Sequence, residues 1–238
     1  MKIALRKTFI WLAIFSIAMG FLETSVVVYL RKIYYPDGFC FPLNPIGKDI
    51  VITELLREVA TMIMLVGIAI LAGKNAVQRF AFFLFSFAVW DIFYYVFLYI
   101  LVGWPQSLMT WDVLFLIPIP WVGPVLSPLI IAFQMIALAN IMVCFDNKGI
   151  KARINLKERL LFIAGSIIVI ISWTWDYCNY IIINYPNASI WSLSSKEALF
   201  EVSQKYVPQS FNWLLFTVGA FLILLAISFY YLRNRTRE

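Results

Sequence analysis

Six mostly apolar stretches of 18 to 27 residues run along the chain, at 8–30, 49–72, 77–103, 128–145, 160–183 and 211–232, joined by polar or proline-bearing connections. A helix needs about 20 apolar residues to cross the roughly 30 Å hydrocarbon core of a bilayer. The pattern therefore predicts an all-α integral membrane protein: a bundle of six transmembrane helices forming a single polytopic domain over residues 1–238. The first stretch is too long for the apolar core of a signal peptide, and Glu23, Thr24 and Ser25 make no small-residue cleavage pattern, so it is expected to stay as a span.

One apolar segment breaks the rule. Thr110 to Pro128 reads TWDVLFLIPIPWVGPVLSP, with Pro118, Pro120, Pro124 and Pro128 falling within eleven residues. Each proline lacks an N–H and disfavours helix in the residue before it, so this segment cannot span as a helix. Thr110 is expected to cap a short outer helix with Asp112 in its first turn, ending near Ile117. An extended Pro-rich stretch then leads to Ser127 and Pro128, read as the cap and first residue of span four. Non-helical backbone at membrane depth must pack on protein or line a wet cavity, so the segment is expected to cap a site, with Asp112 turned towards it. The alternative is an interfacial loop anchored by Trp104, Trp111 and Trp121 among the headgroups.

Polar positions inside the spans supply that site. A charged side chain at membrane depth costs at least about 2.5 kcal/mol on insertion scales. Glu23, Glu54, Glu58, Asp91 and Asp176 nevertheless fall in the outer half or centre of their spans, beside a single intramembrane base, Arg57. Glu54, Glu58 and Thr61 share a face at i, i+4, i+7, while Asp91 has Tyr94 and Tyr95 one turn on. Ser172, Asp176, Asn179, Tyr180 and Asn184 form a stripe on span five, and Gly20 beside Glu23 permits close approach of a neighbour. Structural locking accounts for an Arg57 trio with Glu54 and Glu58. One arginine cannot neutralise five carboxylates, so the rest must be protonated, share a proton, or face water or a cation, unless Arg31, Lys32 and Lys48 reach down to them. The candidate cavity residues are Glu23, Glu54, Arg57, Glu58, Asp91, Tyr95, Asp112, Asp176 and Tyr180.

Composition agrees with a bilayer setting. Hydrophobic residues make up 63% and charged residues only 13%, against roughly 25% charged in soluble domains. Thirteen Lys and Arg flank the span ends on the side of both termini and five flank the other ends, which with Arg57 accounts for all 19. The positive-inside rule then predicts cytoplasmic termini in a multi-pass protein of the plasma or inner membrane. The net charge of +6 follows from this asymmetry, so no nucleic acid partner is expected.

The chain contains no histidine, which removes bis-His haem ligation, HExxH zinc proteolysis and any Ser-His-Asp triad. Phosphate-binding glycine motifs are missing too, and Cys40, Cys144 and Cys178 make no thiolate cage, so no cofactor or metal is expected. Cys40 and Cys178 fall on the outer side and are candidates for a disulfide or for two lone thiols; Asn187 to Ser189 spells a glycosylation sequon, which a chance match explains. Three functions fit what is left. The first is a protein binding or transporting a cation, proton or cationic amphiphile in an outward-facing cup of carboxylates and aromatic rings. The second is an enzyme acting on a lipid or isoprenoid by carboxylate acid–base chemistry. The third is a subunit or assembly factor with other membrane proteins as partners.

Overall fold

The computed structural model describes residues 3–150, 152–184 and 205–237. The sequon at Asn187 and the basic residues Lys2, Lys151 and Lys196 lie outside the described residues. Six helices are long and apolar enough to cross a membrane. They are α1 (Ile3–Tyr34), α2 (Lys48–Ala72), α3 (Ala76–Val102), α4 (Leu126–Asn147), α5 (Leu156–Asn184) and α6 (Trp213–Arg235), with a two-stranded hairpin, β1 (Trp111–Phe115) and β2 (Trp121–Pro124), between α3 and α4. Large apolar side chains point outwards along the helices, Leu71 at 84% and Leu214 at 79% exposure, a surface suited to lipid. The chain is built as a polytopic membrane protein.

Local chemistry sets the helix ends. Asn75 caps α3 by accepting from the Gln78 N–H at 2.9 Å, and Gly103 ends that helix in the left-handed conformation at φ 65°. Asn155 and Glu158 form a reciprocal capping box at the start of α5: Asn155 Oδ1 accepts from the Glu158 N–H at 2.8 Å, and Glu158 Oε2 from the Asn155 N–H at 2.9 Å. Arg233 of α6 donates to both oxygens of the same glutamate at 2.7 and 2.8 Å, fastening α5 to α6 at that end.

Helix α1 packs on α3, α3 on α4, and α5 on α6, while α2 rests mainly on α3. Glycines set two of these contacts. A Cβ on Gly20 would meet the Trp90 carbonyl at 3.0 Å, which is the close approach expected at that position. Gly165 and Gly219 were not foreseen: each faces the other's backbone carbonyl, with a Cβ reaching it at 2.8 and 2.9 Å. Gly165→Ala should therefore push α5 from α6 and cost about 1–3 kcal/mol. Gly67→Ala on α2, where a Cβ meets nothing within 4 Å, should stabilise by about 0.5–1 kcal/mol. Thermal midpoints in one detergent check both signs.

The short outer helix expected from Thr110 is corrected by the hairpin. Only seven residues separate Thr110 from Pro118, too few for a helix to hold by itself. Trp111, Val113 and Phe115 instead suit a strand, and antiparallel pairing of Asp112 with Gly123 and Val113 with Val122 satisfies the backbone that the prolines leave unbonded. The start of span four is also corrected. Helix α4 begins at Leu126, and the Ser127 hydroxyl, no cap, donates to the Pro124 carbonyl at 2.8 Å and accepts from Trp173 Nε1 at 2.8 Å. Cys40, Cys144 and Cys178 are free thiols.

Candidate functional site

Helices α1, α2 and α3 enclose a cavity of about 190 Å³, roofed by strand β1 and by Phe39, Leu43 and Ile46 of the α1–α2 connection. Seven of the nine candidate residues line it: Glu23, Glu54, Arg57, Glu58, Asp91, Tyr95 and Asp112. Glu58 lies ten residues into α2, about 15 Å along the axis. It accepts the Leu116 N–H at 3.0 and 3.1 Å, so the hairpin reaches that level. On the other flank Trp121 of β2 stacks on Trp173 of α5 at 5.5 Å, eleven residues or about 16 Å from that helix's end. The hairpin therefore sits inside the bundle, wedged between α1–α3 and α5–α6.

Charges in the cavity are unevenly matched. Arg57 pairs with Glu23 across to α1, and with Glu54 Oε2 at 2.6 Å, while the Thr61 hydroxyl donates to Glu23 at 3.3 Å. The expected Arg57 trio with Glu54 and Glu58 is thereby corrected. Glu58 supplies the acceptor for a hairpin N–H that no strand partner takes, and the arginine turns to α1 instead. Arg31 lies over the rings of Trp104 and Phe39, with Cζ 3.7 and 4.4 Å from their centroids, and contacts Asp112 at a single point, Nη2 to Oδ1, 3.3 Å. Asp91 receives no hydrogen bond from any described residue, and Asp112 lies close enough to repel its charge.

The lining thus holds five carboxylates against two guanidiniums. Both arginines are committed, to Glu23, Glu54 and Asp112, which leaves Glu58 with one N–H and Asp91 with no donor among the described residues. Three polar atoms among the lining residues are buried without a partner: Arg31 Nη1, Asp112 Oδ2 and Trp90 Nε1.

Asp176 and Tyr180 are not brought to the cavity. Asp176 accepts the Tyr206 hydroxyl at 2.7 Å and the N–H groups of Gln209 and Ser210 at 3.1 Å each, tying the segment before α6 onto α5. Tyr180 packs its ring on Tyr206 at 5.4 Å. The reason is topological: α5 packs on α6, so Asp176 and Tyr180 meet the chain leading into α6 and not α1–α3. Sequence reasoning missed the Phe39 and Trp104 faces around Arg31, the Leu116 N–H, and Trp90 as a lining residue. The Trp104–Pro105 step just after α3 was the available signal that a tryptophan is held where a span ends. Among the described residues no group of three or more Cys, Asp or Glu is arranged to hold a metal ion. Comparison with known proteins finds no matching family, no matching characterised protein and no matching solved structure.

Proposed function

We propose that this chain is a single-domain protein of the plasma or inner membrane with cytoplasmic termini, whose outward-facing cavity binds a small cation, for uptake or exchange across the bilayer. The observation that carries this reading is Asp91, a carboxylate at mid-helix depth with no donor from the described residues, in a cavity where acids outnumber bases. An uncompensated carboxylate in low dielectric attracts a proton or a cation. The aromatic lining, Trp90, Tyr94 and Tyr95 beside Asp91, suits an organic ammonium through cation–π contact. A volume of about 190 Å³ falls below the roughly 300–1,000 Å³ of pockets for drug-sized ligands, so the guest is a small amine or a headgroup, not a whole amphiphile. The hairpin acts as a re-entrant plug between the two halves of the bundle, its backbone satisfied by strand pairing and by Glu58.

Methylammonium chloride should raise the thermal midpoint of the purified protein above that in sodium chloride of equal strength, since a ligand of the folded state stabilises by mass action. No difference between the salts up to molar concentration would remove the cation reading. Chemical conversion of the bound guest, instead of its return unchanged, would move the cavity to lipid enzymology. Orientation has its own check: a reporter fused after Glu238 should be cytoplasmic, and an impermeant thiol reagent should label the exposed Cys40 in intact cells. An external reporter together with unlabelled Cys40 would invert the topology.

A further inference from the structure

Arginine and carboxylate usually meet in a two-point fork at about 2.7–2.9 Å per contact. Arg31 and Asp112 do not. They touch once, at 3.3 Å, and the offset leaves Arg31 Nη1 and Asp112 Oδ2 without partners. Both residues are more than nine-tenths buried, at 8% and 2% exposure, where each unmet polar atom costs about 1–3 kcal/mol. The rings of Phe39 and Trp104 lie against the guanidinium on two adjacent sides, their planes nearly perpendicular and their centroids 5.8 Å apart, and cation–π contact with both favours its present position. On the same cavity wall stands Asp91, whose carboxylate accepts no hydrogen bond from a described residue. The cavity wall therefore offers one cationic donor next to acceptors in excess, and the guest that satisfies all of them carries both signs of charge.

We infer that the cavity takes a small zwitterion, with an oxyanion on Arg31 and an ammonium group on Asp91. This rests on the cation reading above and adds the anionic half. About 190 Å³ is the volume of roughly six waters at about 30 Å³ each, the scale of a small headgroup and not of a whole lipid. An amino-phosphate has that size and that charge pattern, either as a free molecule or as the headgroup of an aminophospholipid. A bridging water would also meet Arg31 Nη1 and Asp112 Oδ2 but would give no preference for charge on the guest.

The test titrates the full chain in nanodiscs with phosphoethanolamine and with ethanolamine, which lacks the oxyanion, following tryptophan fluorescence. Phosphoethanolamine should bind at least tenfold more tightly, or phosphatidylethanolamine should co-purify in preference to phosphatidylglycerol, which would identify a lipid as the source of the headgroup. The double variant Arg31→Met, Asp112→Asn removes both halves of the ion pair, so no lone buried charge remains. It should bring phosphoethanolamine down to the affinity that ethanolamine has for the same variant, while Asp91→Asn should lose both ligands. Equal affinity of the two free probes without selective retention of phosphatidylethanolamine, or a preference that survives the double variant, overturns the zwitterion and leaves the cation reading standing. If the wild-type chain binds neither probe and retains neither lipid selectively, both fail together. Should the double variant not fold, the wild-type comparison decides by itself.

Discussion

Replacing Asp91 by asparagine should weaken methylammonium binding at least tenfold, about 1.4 kcal/mol, and leave the folded protein as stable as before or more so. The two expectations come from the same geometry. Asp91 receives no hydrogen bond from a described residue, so the change breaks none among them. It removes a charge that is desolvated on α3 and repelled by Asp112, and it keeps the volume of the side chain. A carboxylate kept for folding would behave in the opposite way, because loss of a paired acid strands its partner. Tryptophan fluorescence reports binding from the neighbouring Trp90, and the thermal midpoint without ligand reports stability. An unchanged affinity would remove Asp91 from the site, and a lost affinity accompanied by a lowered midpoint would make it structural.

Arg57→Met should do the reverse and destabilise strongly, by about 3 kcal/mol. Arg57 joins two helices, holding Glu23 on α1 and Glu54 on its own helix, and all three side chains are mostly buried, at 20%, 12% and 14% exposure. Removing one partner of a buried ion pair leaves uncompensated charge, typically at about 3–5 kcal/mol; the partial exposure places this case at the lower end. Contact between α1 and α2 is otherwise slight, so this ion triad is their principal tie. Adding Glu23→Gln and Glu54→Gln to Arg57→Met should restore most of the loss, since no charge is then left alone. Unfolding free energies of the single, double and triple variants give the coupling directly. Additive losses, with no rescue, would show that the triad is not the tie.

How much of this was legible in the sequence depends on the kind of pattern. All six helices follow the apolar windows, because hydropathy over about 20 residues is a local property that lipid reads without help from tertiary structure. Helix-face spacing placed Glu58 and Asp91 on inward stripes, and both line one cavity with Asp112, the residue expected to turn towards it. The hairpin was not legible. The prolines ruled out a spanning helix, but whether the rest coils briefly or pairs depends on what accepts the Leu116 N–H, and that acceptor, Glu58, lies 58 residues earlier. Asp176 misled for a related reason. A polar stripe shows that a helix faces something other than lipid, and its partner, here Tyr206 and the chain before α6, is set by which helices pair.

The most direct test of the cation cavity is an experimental map of the chain in lipid, recorded with and without methylammonium at high resolution. New density is expected in the space bounded by α1–α3 and β1, with its nitrogen about 3–4 Å from the Asp91 carboxylate and its methyl group against Trp90 or Tyr94. A cavity filled by an acyl chain, or Asp91 directed into the bilayer with no ligand beside it, would contradict the cation reading.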